Sequence, residues 1–385
     1  MAYNFDIVID RKNTNSVKYD FAAERGRPEG LIPLWVADMD FAAPSQVLTD
    51  IQKAVAHGVF GYTDAKDDYY QALINWFSSR FGYTFTRQDV IKAPGVVVAL
   101  AHAVRAFTAP GEGVLIQTPV YHPFYSVIAD NNRRIVSSPL IYKNGKYEID
   151  FKDFERKIKD EAVKLFILCS PHNPVGRVWR RDELEKMGDI CRHYGVLIVS
   201  DEIHCDFVYS GHHHTCMGSC DENAIVMTAP SKTFNLAGLQ ASNIIVKNED
   251  LRGRLKAEME KSGCGQLNTL GLLACQSAYT HGGEWLEELK EYLIGNIDFS
   301  RQFLFAQLPK VHLVEPQGTY LLWLDFTAYG LSQEELDRRV IEGAGLWLNS
   351  GEMFGVEGKG FQRMNIACPR ATLQTALEQL ASAFR

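Results

Sequence analysis

Between residues 90 and 246, short apolar runs alternate with longer segments whose apolar positions recur every three or four residues. Val90–Ala93, Val114–Gln117, Leu165–Cys169, Val196–Ser200, Ile225–Thr228 and Asn243–Val246 are such runs. Turn residues bound them, and their lengths suit strands buried on both faces. Helical periodicity fills 96–108, 122–131 and 182–194. This alternation predicts a mostly parallel sheet with helices on both faces. Ahead of it, Pro44 and Ser45 mark a helix start and Gly58 its stop. A second helix is expected from about 68 to 80, closed before Gly82. Long helical stretches cover 249–308, broken near Gly263 and again at Gly282 and Gly283.

Beyond residue 308 the pattern changes. Val311–Val314, Thr319–Asp325, Leu346–Leu348 and Arg363–Ile366 read as strands, and 332–343 and 371–384 as helices. The expected class is therefore α/β with a smaller α+β part. The large unit is expected over 45–285, and the small one over 1–44 together with 286–385. A chain of 385 residues exceeds one ordinary domain, which agrees with that division.

Composition adds exclusions. Apolar residues are 46% and charged residues 23%, the balance of a globular protein. The formal charge is −7 with no Lys/Arg block, so neither nucleic acid nor an anionic membrane is an expected partner. The first residues lack a basic region followed by an apolar stretch, and no window approaches a membrane span. Eight Cys without a CxxC pair argue against a zinc site or a disulfide scaffold, and a cytoplasmic location is expected. His212, His213 and His214 read as loop, since adjacent imidazoles in an extended segment point different ways. No metal is expected.

In a parallel α/β sheet, ligands sit at the carboxyl ends of the strands. Three runs end there in polar residues: Leu165–Cys169 leads to Asn173, Val196–Ser200 to Asp201 and His204, and Ile225–Thr228 to Ser231 and Lys232. An amide, a carboxylate and a lysine should converge on one rim. Gly95 follows another run and opens a helix, so the backbone N–H groups of Gly95, Val96 and Val97 form a natural anion site.

This order resembles the fold-type I enzymes that use pyridoxal 5′-phosphate (PLP), the class I/II aminotransferase superfamily. The resemblance is closest to the cystathionine β-lyase/C–S lyase branch. It rests on Trp35–Phe41 (WVADMDF), Gly61-Tyr62-Thr63, Thr118–Pro123 (TPVYHP), Pro171–Trp179 (PHNPVGRVW), Asp201–His204, Ser231–Gly238 (SKTFNLAG) and Asn365–Arg370 (NIACPR). It implies a PLP transferase-like large domain with a mainly parallel seven-stranded sheet. It also implies roles. Lys232 would hold the cofactor as an imine and move the α-proton. Asp201 would pair with the pyridine nitrogen. Asn173 would reach the phenolic oxygen, Tyr121 would stack on the ring, and Ser231 would help hold the phosphate. His204 would share the role of Asn173, although by itself it reads equally well as a core histidine. Tyr62 would reach the phosphate from a second subunit, making the protein a homodimer with shared sites. Arg370 would bind the substrate α-carboxylate; Arg363 has the weaker claim.

Many class I aminotransferases carry Ser and Arg where this chain has Ala229 and Gln240. That departure favours C–S β-elimination from L-cystathionine or related cysteine S-conjugates over the alternative, transamination. A cofactor-retaining regulatory protein is the third reading, opposed by the intact Lys232, Asp201 and Arg370.

Overall fold

The computed structural model describes residues 3–385. Seven strands form the main sheet in the order Val90–Ala93, Ser242–Ile245, Ile225–Thr228, Leu197–Asp201, Val163–Cys169, Gly113–Ile116, Arg134–Ser137. All neighbours are parallel except Ser242–Ile245, which is antiparallel to both of its own. Strand periodicity decides what each face covers. Leu165 and Ile167 join a core with Ala99, Leu100, Ala103 and Leu255. Phe166 and Leu168 face the other way, onto Phe154, Leu184 and Met187. Apolar residues at successive positions are thus what a sheet covered on both faces requires.

The expected helices appear as Ser45–His57, Asp67–Phe81, Val96–Phe107, Pro123–Ala129 and Arg181–Tyr194. Gly58 (φ +76°) and Gly82 (φ +63°) end the first two in the left-handed region, where a side chain would be strained. The long helical stretch divides into Glu249–Glu260, Thr269–His281 and Gly283–Gln307. Several elements escaped the pattern, two of them in or against the main sheet. Helix Phe151–Asp160 buries only Phe154 and Ile158 and is started by Asp150, whose carboxylate accepts from the N–H groups of Lys152 and Asp153. Strand Arg134–Ser137 lies at the sheet edge and is only partly covered.

Beyond residue 308, His312–Val314, Leu321–Asp325, Phe361–Asn365 and Asn349–Ser350 form an antiparallel sheet in that order. Leu346–Trp347 instead pairs with Ile32–Pro33. One apolar cluster joins the N-terminal segment to this part, with Phe5, Leu34 and Trp285 beside Leu321, Leu322 and Leu377. Among the described residues no helix is long and apolar enough to cross a membrane.

Candidate active site

Parallel pairing sets Cys169 opposite Asp201, and Asp201 opposite Met227. The chain then leaves three adjoining strands at one end of the sheet. A cavity of ≈ 180 Å³ opens there, lined by Gly95, Val96, Val97, Tyr121, Asn173, Asp201, His204, Ser231 and Lys232 among others. Nine of the expected site residues therefore come together, and Ala229 and Gln240 line the same space.

Lys232 sits in the short helix Pro230–Thr233, and its Nζ donates to the Ala37 carbonyl at 2.7 Å. Burial lowers its pKa to about 8, with Arg363 pushing the same way and Asp38 and Asp201 opposing. Asp201 is 4% exposed and accepts a hydrogen bond from the Ile203 N–H at 3.1 Å. Burial pushes its carboxyl up to about 7, against the pull of that bond and of Lys232. His204, buried against the edge of the Tyr320 ring, is driven down to about 3 by burial and by the Lys232 and Arg363 charges. Its ring is neutral at physiological pH.

Helix Val96–Phe107 begins at the cavity, and no side chain caps it. Its first N–H groups are left for an anion. A Cβ built on Gly95 would meet nothing within 4 Å, so the space before the helix is open.

The segment Trp35–Phe41 crosses beside Lys232, held mainly through its backbone. Lys232 and Tyr320 (2.9 Å) both donate to the Ala37 carbonyl. Asn365 donates to the carbonyls of Val36 and Asp38 at 2.6 Å each. Asn235 takes the Met39 N–H and donates to the carbonyls of Met39 and Phe41. Arg11 pairs with Asp38 and Asp40, and buried Lys18 pairs with Asp40 at 2.8 Å. The WVADMDF motif is thus a strap fixed at almost every residue.

Two expected residues lie elsewhere. Arg370 opens the last helix, and its Nε donates to Asn296 Oδ1 at 2.7 Å. Its guanidinium covers the Phe299 ring at 4.9 Å. It faces helix Gly283–Gln307 and does not line the cavity, which corrects the sequence-based expectation. Tyr62 is 98% exposed and belongs to a surface depression with Phe60, Gln266 and Leu267.

The arginine bonded to a cavity-lining residue is Arg363, through Asn173. It donates to Asn173 Oδ1 (2.9 Å), Asn349 Oδ1 (2.6 Å) and the Trp35 carbonyl (2.9 Å). It is 3% exposed, and among the described residues its Nε has no partner and it forms no ion pair with a carboxylate. Burial lowers its pKa to about 10. A signal was available: in Phe361–Asn365 the strand period puts Arg363 and Asn365 on one face, within a run otherwise fit for burial. A charged residue there needs a reason beyond solubility.

His214 is also buried, with Nε2 2.9 Å from Glu202 Oε2, near Cys216. Glu202 accepts further bonds from the Ser200 hydroxyl and the Met217 N–H, so its carboxylate is satisfied within the protein. Cys169 is buried, with its thiol pushed up by burial and by Asp201, the reverse of an activated nucleophile.

The sheet order and the strand-end cavity define a class, and the chain belongs to the aminotransferase class I and II family, whose model matches residues 29–380. Particular relatives are more specific. The chain is 43% identical to cystathionine β-lyase PatB of Bacillus subtilis (strain 168), over 99% of its own length and 100% of that protein. Cystalysin of Treponema denticola, whose crystal structure contains a pyridoxal 5′-phosphate cofactor, superimposes with a TM-score of 0.96 at 38% identity, covering 100% of this chain and 99% of that one. A PLP-bound C–S lyase of Staphylococcus hominis gives 0.93 at 37%, covering 99% and 98%.

Proposed function

We propose that this protein is a PLP-dependent C–S β-lyase that splits L-cystathionine or a related cysteine S-conjugate into a thiol, pyruvate and ammonia. The observation that carries the cofactor is a half-buried lysine and a buried carboxylate at adjoining strand ends, both shifted towards neutrality, beside an uncapped helix start. The full-length kinship with a cystathionine β-lyase carries the choice of reaction.

The residues fit the cofactor. Lys232 is its covalent anchor. Asp201 forms no ion pair among the described residues, and a protonated ring nitrogen would give it one. The N–H groups after Gly95 and the Ser231 hydroxyl would hold the phosphate, and Asn173, His204 and Tyr121, which line the same cavity, would hold the ring. When bound, PLP supplies the electron sink that lets a proton leave the substrate α-carbon.

The chain's own residues do the rest. Arg363, a buried cation without an anion, takes the α-carboxylate, and Asn173 and Asn349 fix its orientation. Lys232 Nζ, with its pKa near the working pH, removes the α-proton. The Ala37 carbonyl is placed to receive the ammonium that results. The Cβ–S bond then breaks, and sulfur leaves with the electron pair as the thiolate. The released enamine takes up water and gives pyruvate and ammonia.

We also read 45–285 as the unit that holds the cofactor, and the remainder as the unit that presents Arg363. The exposed Tyr62 is assigned to the phosphate of a neighbouring subunit in a homodimer. Its almost complete exposure within one chain supports that reading. A cytoplasmic setting would keep the eight thiols reduced.

The test is incubation with L-cystathionine and no keto acid, with pyruvate and free thiol measured. Both should accumulate in step. Turnover that appears only when a keto acid is added would replace this reading by transamination.

A further inference from the structure

One group beside the site is not used by the reaction proposed above. His122 follows Tyr121, and the two rings meet edge to face at 5.5 Å. On another side His122 meets Phe354 at 6.1 Å, again edge to face. The Arg363 guanidinium lies over that same Phe354 ring, 4.9 Å from its centroid. Phe354 is itself fixed, since its carbonyl accepts from the Val120 N–H (2.8 Å) and the Tyr125 hydroxyl (2.9 Å). His122 thus belongs to a rigid wall between the ring that lines the cavity and the cation that awaits a carboxylate.

His122 Nδ1 is buried and has no hydrogen-bond partner among the described residues. Such an atom costs stability unless a bound group satisfies it. Burial and the Arg363 charge hold the ring's pKa down to about 4, so it is a neutral imidazole with one donor and one acceptor. A residue wanted only for packing would be better served by an aromatic without nitrogens.

We infer that His122 contacts the substrate and selects the group carried on its sulfur, favouring a polar, hydrogen-bonding group over an apolar one. The inference rests on the C–S lyase reading and deepens it. Arg363 accounts for the α-carboxylate and Lys232 for the α-carbon. The polar end of a thioether amino acid is then the part of the substrate still without a protein partner, and His122 packs between Tyr121, which lines the cavity, and the Phe354 ring beneath Arg363. A site that hydrogen-bonds its ligand rejects an analogue that leaves the polar atom unpaired.

The experiment compares wild-type holoenzyme with His122→Phe and His122→Gln. Pyruvate release is followed from L-cystathionine and from S-benzyl-L-cysteine. His122→Phe should lower kcat/KM for L-cystathionine about tenfold, the loss of one good hydrogen bond, and leave S-benzyl-L-cysteine within about twofold. His122→Gln should recover part of the loss. An equal fall on both substrates, or no change on either, overturns the inference. Binding of 2,7-diaminosuberate, in which a methylene replaces the sulfur, is read alongside from the cofactor absorbance, with L-norleucine as the apolar reference. That arm needs no turnover. If the wild type releases no pyruvate, the lyase reading falls, while a tenfold weakening confined to 2,7-diaminosuberate still decides the role of His122.

Discussion

At the rim of the seven-stranded sheet, half-buried Lys232 and buried Asp201 have few hydrogen-bond partners, and each is shifted towards its neutral form. In strand Phe361–Asn365, Arg363 is buried and gripped by three oxygens. Asp201 is the last residue of its strand and Lys232 stands in a short helix, whereas Arg363 lies in the middle of a strand. The difference follows from the task. Groups that exchange protons need adjustable pKa values, and burial without full compensation provides them. A group that only orients a carboxylate needs a fixed direction and a permanent charge.

The comparison breaks most sharply at Lys232. Lys232→Ala should remove the visible absorbance of the cofactor-loaded protein and cut pyruvate release by more than about a thousandfold, the upper range for loss of a positioned proton-transfer group. A surviving band would refute the assignment. Next in size is the contrast between the two arginines. Arg363→Ala should lower kcat/KM by about 100-fold or more with the cofactor spectrum intact, as expected for loss of a buried charged contact. Arg370→Ala, which loses only its bonds to helix Gly283–Gln307, should stay within about threefold. The reverse order would return the carboxylate to Arg370.

Asp201→Asn sharpens the same contrast through stability of the cofactor-free protein. The folded-state pKa of Asp201 lies above its unfolded value, so between pH 4 and 7 the folded protein holds a proton that the unfolded chain has released. Its contribution therefore falls as pH rises through that window. The substitution should stabilise the cofactor-free protein by on the order of 2–4 kcal/mol at pH 8 and by almost nothing at pH 4, while weakening cofactor retention. Denaturant midpoints at the two pH values check it. A destabilised variant at pH 8 would mean that Asp201 is satisfied within the protein. The smallest effect is expected at Tyr62. Tyr62→Phe should weaken cofactor retention about three- to tenfold, one hydrogen bond's worth, with the fold unchanged. Equilibrium dialysis of the cofactor measures it, and no change would remove the neighbouring subunit from the site.

Much of the sheet was legible, because strands covered on both faces leave uninterrupted apolar runs. Helix Phe151–Asp160 was not, since two buried residues in ten give little periodicity. Lys232, Asp201 and Asn173 could be found because each directly follows such a run. Arg363 was passed over for Arg370 because NIACPR draws attention to its last residue. Only the packing shows that Arg370 turns away to Asn296.

The chain alone determined which strands form the main sheet's interior and which residues stand at their ends, because local period and turn chemistry are written in sequence. The tertiary structure decided which arginine enters the site, that the Trp35–Phe41 strap lends its Ala37 carbonyl to Lys232, and that His122 meets Phe354 beneath Arg363. Lys232 and Ala37 are 195 positions apart. No local pattern encodes such a distance, and burial and register settle it only once the sheets have formed.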